Sequence, residues 1–457
     1  MKIIILGAGR VGASVAENLV SEENDITVVD LNAESLKQLQ DRLDLRTVCG
    51  HAAHPSTLGD AGADDADMIL AVTQSDETNM LACKLADTLF HVPTKIARIR
   101  SSDYLEHPEI FSSENFAVDH SICPEQLITD YIKKLVEFPE ALQVLDFHEG
   151  LVKLVNVRAR EDGLLVGKEI QYLRTHMPHI PTRVAAIFRK DHPLNIRGNT
   201  IVEPGDDVFL IAASEHIRMV FKELRRVATP VRRIMIAGGG NIGRRLAKQL
   251  EGKYYVKIID HNPKTCARLS QELNHALVLH GDATDESLLE TENIEEMDLF
   301  CALTNDDEDN IMGALLAKRM GAHRVISLIN RKIYVDLVQG GEIDIALSPV
   351  QATIGSLLAH VRRGDMVAVH RLRRGAAEAF EVIVHGDKKS SKVVGRTVKE
   401  IDLPEQVTIG AVVRDHEVFI AHHDTVIESE DHLIIFLTDK KVIPKVERLF
   451  QVDIGFF

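Results

Sequence analysis

Lys2-Ile-Ile-Ile-Leu6, then Gly7-Ala8-Gly9-Arg10-Val11-Gly12, then Ile26-Thr-Val-Val-Asp30 is the stretch that decides the fold. It reads as an apolar run of β-formers, a G-x-G-x-x-G turn, an amphipathic segment, and a second apolar run ending in a carboxylate. Gly7 allows the tight turn, Gly9 lets backbone approach a pyrophosphate, and Gly12 lets a helix pack closely on the strand. Phosphates would sit on the free N–H groups at the helix N-terminus. Asp30, about 20 residues past the glycines, can accept both ribose hydroxyls and repels a 2′-phosphate. The stretch therefore predicts an NAD or adenine-nucleotide site, not an NADP site.

Working outward, Arg46-Thr-Val-Cys-Gly50 predicts a third strand, Asp67 to Thr73 a fourth, Lys95 to Arg100 a fifth and Phe116 to His120 a sixth. Helical patterns alternate with them, which implies a parallel, doubly wound sheet with its crevice at the carboxyl ends of the strands. Just past the fourth strand, Thr73 and Gln74 should line that crevice, with Arg98 on the fifth and Ser75 or Asp76 capping the next helix. Arg10, inside the glycine turn, offers a guanidinium fork to a terminal phosphate or is a solvated surface charge.

The text then begins again. Ile234-Met-Ile-Ala237 is followed by Gly238-Gly239-Gly240-Asn241-Ile242-Gly243 and by Val256 to Asp260, with offsets of 231 for the first glycine and 230 for the acid. Gly50 recurs as Gly281, Thr73 as Thr304, and Asp76-Glu77-Thr78-Asn79 as Asp307-Glu308-Asp309-Asn310. A fixed long period that keeps motif order is domain duplication. In the second copy Asn241 replaces Arg10, Asn305 replaces Gln74, Ser327 stands near the place of Arg98, and Asp282 replaces His51, where it can accept from an adenine amino group. Fewer arginines predict a second site with a different nucleotide preference, better suited to NAD or weaker.

Between and after the copies lie short alternating strands with turn signals: Leu151 to Val157, Val184 to Phe188 and Val208 to Ala212, then a second edition near 368 to 453. Gly395-Arg-Thr-Val398 answers Gly167-Lys-Glu-Ile170, Val412 to Arg414 answers Ile187 to Arg189, and Leu433 to Phe436 answers Val208 to Ile211. The fold class is thus α/β: two Rossmann-like doubly wound parallel-sheet domains, each followed by a small α+β module, in tandem. The expected domains are 1–123, 140–224, 232–348 and 367–453.

Composition agrees and excludes. At 457 residues the chain has room for about three or four domains. A net charge of −16 disfavours nucleic acid or an anionic membrane held by bulk charge. The five cysteines, without C-x-x-C, indicate buried apolar groups of a reducing compartment, not a zinc site or disulfide framework. No apolar run reaches the roughly 18 residues of a membrane span, so a cytoplasmic protein is expected.

This order of two glycine-turn domains and two small modules resembles the RCK (KTN) family of regulators of potassium transporters, over essentially the whole chain. The resemblance implies nucleotide contacts for Gly7 to Val11, Asp30, Thr73, Gln74 and Arg98, and NAD(H) or ATP/ADP as ligand. It also implies assembly as a homo-oligomer, a tetramer forming a ring, on a membrane potassium-transporter subunit of the TrkH/TrkG type, attached peripherally to the inner face of the membrane. Helices of Pro124 to Val136 and Pro349 to His360 match those that pack on a neighbouring domain in the family.

Several residues carry a second reading. His51 with His54, and His422 with His423, are ordinary loop histidines or metal or proton-transfer sites; Glu125 complements a helix start. Arg225, Arg226, Arg232 and Arg233, then Arg362, Arg363, Arg371, Arg373 and Arg374, are solvated linker charge or a docking patch. No catalytic constellation follows the nucleotide folds. The alternatives are an NAD-dependent oxidoreductase with a duplicated cofactor domain, whose missing substrate domain argues against it, and a sensor with another partner.

Overall fold

The structure, a computed structural model, describes residues 1–20, 24–190, 192–224, 230–338, 341–361, 365–372 and 377–450. Arg225, Arg226, Arg362, Arg363, Arg373 and Arg374 lie outside the described residues. The chain forms two compact units, Met1–Ile128 with Pro349–Ile354, and Thr129–Ser348 with Gly355–Phe457.

In the first unit, β1 (Lys2–Leu6), β2 (Asp25–Asp30), β3 (Arg46–Cys49), β4 (Met68–Ala71), β5 (Thr94–Arg98) and β6 (His120–Ile122) form a parallel sheet in the order β3-β2-β1-β4-β5-β6. Helices cover both faces, which is why β4 is buried along its whole length. The helix Arg10–Val20 turns Val11, Val15, Ala16 and Leu19 onto the sheet at helical spacing. The switch point lies between β1 and β4, and the glycine turn opens there. The sixth strand begins later than the sequence predicts: Ala117 is left-handed, with φ +52°, and its N–H returns to Ser112 O at 2.8 Å. The residues before His120 therefore make a turn, and pairing with Ile96 starts at His120.

The second unit opens with β7 (Ala141–Phe147), β8 (Val152–Arg158), β9 (Thr182–Arg189), β10 (His192–Pro193) and β11 (Asp207–Ala213), an antiparallel sheet ordered β10-β9-β11-β8-β7. Next, β12 (Arg233–Ala237), β13 (Tyr255–Asp260), β14 (Leu277–His280), β15 (Leu299–Ala302), β16 (Val325–Leu328) and β17 (Ile345–Leu347) repeat the first parallel topology, β14-β13-β12-β15-β16-β17. Finally β18 (Asp365–Leu372), β19 (Ala377–Ile383), β20 (Val407–Arg414), β21 (Glu417–Ile420) and β22 (His432–Leu437) form an antiparallel sheet ordered β18-β19-β22-β20-β21. Strand for strand this matches the first small sheet. The tandem repeat of Rossmann-like fold and small α+β module is therefore the architecture. Among the described residues no helix is long and apolar enough to cross a membrane.

The two small sheets share one core, in which Phe147, Leu154, Phe188 and Phe209 meet Ala377, Ala379, Ile434 and Phe436. The Phe209 and Phe436 rings lie 5.3 Å apart. Arg183 crosses between the modules, donating to Ala421 O at 2.7 Å and Ile409 O at 3.2 Å. Each module also carries the same clamp. Arg189 bonds Asp206 at 2.8 and 2.9 Å and Glu203 at 2.6 Å, while Arg414 bonds Asp431 at 2.7 and 2.8 Å and Glu428 at 2.6 Å. Asp206 and Asp431 are 1% and 0% exposed, so each carboxylate depends on its bidentate partner.

Two expectations follow. Arg414→Met leaves Asp431 buried and unpaired and should destabilise the second unit by about 3 kcal/mol, read as a lower denaturant midpoint. Burial pushes the thiols of Cys83 and Cys301 up to about 12, and Cys123 and Cys266 are also buried. Native protein should therefore give one fast-reacting thiol with a chromogenic disulfide, lost in Cys49→Ser, and the rest only on unfolding.

Candidate functional site

The first crevice is built by the turn between β1 and its helix. Gly7 has φ +112°, and its N–H donates to Val29 O at 2.7 Å. A Cβ on Gly12 would lie 1.8 Å from Gly7 O, so helix and strand touch backbone to backbone. A Cβ on Gly9 would meet no protein atom within 4 Å. Packing therefore requires Gly12, whereas at Gly9 the protein's own packing leaves room for a side chain. Val11 and Ala8 are buried, and Arg10 is exposed. Asp30 is fixed by Ala8 N–H on Oδ2 at 2.6 Å and Asn32 N–H on Oδ1 at 2.8 Å, ready to accept hydroxyls with its remaining lone pairs.

Thr73 lies just past β4, on a buried hinge that the sequence does not reveal. Asn79, 0% exposed, accepts from Thr73 N–H at 2.9 Å and Thr73 Oγ1 at 2.6 Å, and donates to Arg98 O at 2.8 Å. One amide thereby fixes the ends of β4 and β5 together. Asp76 Oδ2 then accepts from Arg100 N–H at 2.9 Å and Ser101 N–H at 2.8 Å, and Ser75 caps the helix Asp76–Phe90 by accepting from Thr78 N–H at 3.1 Å. Gln74 is exposed, with its carbonyl held by Arg100. Arg98 donates through Nη2 to Glu125 Oε1 at 3.3 Å, while its Nε is buried without a partner. Glu125 thus does more than begin a helix: it holds the arginine at the crevice end.

The second copy repeats the frame atom for atom. Gly238 has φ +103°, a Cβ on Gly243 would lie 1.9 Å from Gly238 O, and none is obstructed on Gly240. Gly239 N–H donates to Asp260 Oδ2 at 2.7 Å, and Asn310 accepts from Thr304 N–H at 2.8 Å and donates to Leu328 O at 2.9 Å. That last bond makes Leu328 the counterpart of Arg98, correcting the sequence assignment of Ser327, which is buried one place earlier. Val350 stands in turn where Glu125 stands after its proline. Other helices of this fold are capped by Asn262, Asp285 and Asp306, but Gly240 brings no side-chain cap to Asn241 and Ile242. That N-terminus has no side-chain acceptor of its own.

Charge separates the copies. Asp282, Asp306 and Asp309 occupy the positions of His51, Ser75 and Thr78. Asp282 is held below the usual carboxylate range by the backbone N–H and hydroxyl of Thr284, at 2.8 Å each. Asp309 is pushed up by burial and then by Asp306 and Asp282. Asn305 is exposed beside them. The second crevice thus has three carboxylates where the first has His51, Ser75 and Thr78, while Arg268 reaches its glycine turn, donating through Nη2 to Gly239 O at 3.5 Å. Both residue sets fit a nucleotide, through a helix N-terminus at the glycine turn, an acid at the end of the second strand and an unobstructed central glycine.

The remaining candidates join neither crevice. His51 and His54 stack on each other with centroids 4.6 Å apart, His51 Nδ1 accepting from Ala53 N–H. Burial, then Arg183 and Arg174, lowers His422, and His423 is a loop residue.

The TrkA-N domain model matches residues 3–124 and 234–349, and the TrkA-C domain model matches 154–225 and 387–451. The chain is 60% identical over 457 residues to the Trk system potassium uptake protein TrkA of Halomonas elongata, covering 100% of both. It is 58% identical over 452 residues to the protein of the same name in Vibrio alginolyticus, covering 99% of each. A solved GsuK channel bound to NAD has a TM-score of 0.62, spanning 98% of this chain and 79% of that one at 18% identity, a likeness of fold.

The glycines give a direct test. Gly12→Ala should cost about 1–3 kcal/mol through its clash with Gly7 O, seen in thermal unfolding. Gly9→Ala should change stability by less than about 0.5 kcal/mol and yet weaken nucleotide binding about tenfold or more, measured by calorimetry.

Proposed function

We propose that this chain, which belongs to the TrkA family of Trk system potassium uptake proteins, is the regulatory subunit through which nucleotides control potassium uptake. The family consists of transport-system proteins, not enzymes, so the oxidoreductase alternative is set aside. In this reading the four domains are 1–123, 140–224, 232–348 and 367–453. Gly7–Gly12, Asp30, Thr73, Gln74 and Arg98 hold one nucleotide. Gly238–Gly243, Asp260, Asp282, Thr304 and Asn305 hold a second. A homotetramer would place eight Rossmann domains in a ring on the cytosolic face of a TrkH/TrkG-like membrane subunit; the resemblance to RCK proteins supports that number.

One observation carries the mechanism: Arg98, with a buried unpartnered Nε, is shared with Glu125 at the start of the helix Pro124–Glu137. A polyphosphate entering at the glycine turn competes with Glu125 for that guanidinium. The same helix carries the chain out of the first unit, so the exchange of partners is a means of turning occupancy into movement. A ligand favours one state only by its difference in affinity for the two, and the exchange supplies such a difference. The second copy, with Leu328 and Val350 at these places, has no such pair. ATP or ADP is then the first crevice's signal and NAD(H) the second's.

The test is potassium flux into vesicles holding the purified membrane subunit, with and without this protein, and with ATP, ADP, NADH or NAD. Flux should depend on the protein and change with nucleotide. Asp30→Ala should abolish the adenine-nucleotide response, and Arg98→Leu should weaken ATP about tenfold to a hundredfold without changing NADH binding. Flux that ignores the protein under every nucleotide would sink the gating reading.

A further inference from the structure

The strand β19 alternates Ala377, Ala379 and Glu381 onto the core between the two small sheets, and β22 alternates Phe436, Ile434 and His432 beside them. The apolar layer therefore ends on a carboxylate and an imidazole. Glu381 is 1% exposed, and His432 Nδ1 lies 2.6 Å from its Oε1. The first module supplies a third group: His148, just past β7, places Nδ1 3.2 Å from the same oxygen and donates its own N–H to Oε2 at 2.8 Å. Ligand atoms of all three residues lie within 4.8 Å of one another.

Three features set this cluster apart from an ordinary buried hydrogen bond. Among the described residues, no lysine or arginine pairs with Glu381, although burying a carboxylate without a cation is costly. His148 and Glu149 are both left-handed, at φ +46° and +53°, a conformation non-glycine residues adopt at a cost of order 1 kcal/mol or more each; it aims both His148 donors at one carboxylate. Finally, the matching register positions of the first small sheet hold Asn156 and Asp207, and Asp207 takes Arg158 at 2.8 Å. The sheet folds without the cluster, so packing does not explain it.

We propose that His148, Glu381 and His432 bind one divalent transition-metal ion, zinc by ligand type, that fastens the first small module to the second. Two imidazole nitrogens and one carboxylate oxygen are a zinc donor set. Zinc–ligand bonds of about 2.0–2.2 Å set tetrahedral ligand separations of about 3.3–3.5 Å. His148 Nδ1, 3.2 Å from Glu381 Oε1, is close to that spacing, and His432 Nδ1, 2.6 Å from the same oxygen, has to withdraw from it by less than about 1 Å to reach it. The fourth position falls to water or to His416, whose ring centroid is 5.8 Å from that of His148.

The experiment titrates full-length protein, stripped with a chelator, with cobalt(II) and zinc(II) chloride. Expected are tetrahedral cobalt absorption saturating at one equivalent per chain, displacement by zinc, and a higher Tm with zinc. Glu381→Gln and His148→Gln should each lose the band and bind about a hundredfold more weakly or worse, with nucleotide binding intact. The proposal is overturned if wild-type protein shows no tetrahedral band at one equivalent, a reading that needs no variant. A band unchanged in both variants, which would place the metal on other histidines, overturns it too.

Discussion

The contact between the backbone of Gly12 and the carbonyl of Gly7 is the constraint on which each half of the molecule rests. With a Cβ there only 1.8 Å from that oxygen, no other residue lets the first helix lie flat on the first strand. The helix N-terminus is thereby delivered to the switch point of the sheet, facing the acid that ends the second strand. Gly243 and Gly238 impose the same condition 231 residues later. Crevice, strand-end acid and buried asparagine hinge all take their positions from it.

Duplication preserved this frame and released the charges around it. The hinge bonds of Asn79 and Asn310 agree within a few tenths of an ångström, whereas Arg98 gives way to Leu328 and His51, Ser75 and Thr78 to three aspartates. A backbone amide satisfied by a buried side chain tolerates no substitution, because the lost bond leaves orphaned groups. Charges at a crevice rim are bound by no such rule. Two crevices of one geometry have come to differ in the charges around them.

What was legible in the sequence had a period or a turn behind it. The glycine motifs, their acids and the Arg189 and Arg414 positions show because the repeat places each twice. The strand Ala141–Phe147 lies inside the predicted module yet does not stand out, since Gln143 and Asp146 interrupt its apolar pattern. Arg98 and Glu125 are separated by 27 residues, and His148 and Glu381 by 233, and no local pattern reports partnerships made by folding. Asn79 was visible as part of a repeated tetrapeptide, but its role as a hinge depends on where β5 ends.

The shared core of the small sheets carries a cost in time. Phe147, Phe188 and Phe209 face partners that include Phe436, which the ribosome adds more than two hundred residues after the first sheet is complete. At synthesis rates of about 5–20 residues per second, that sheet waits roughly 10–45 seconds with its apolar face uncovered. The second Rossmann-like domain, made in the interval, folds on local parallel units and needs no part of that face. Biogenesis therefore passes through a nascent chain that is half native and half adhesive, and holding that surface until the last strands emerge is work for a chaperone.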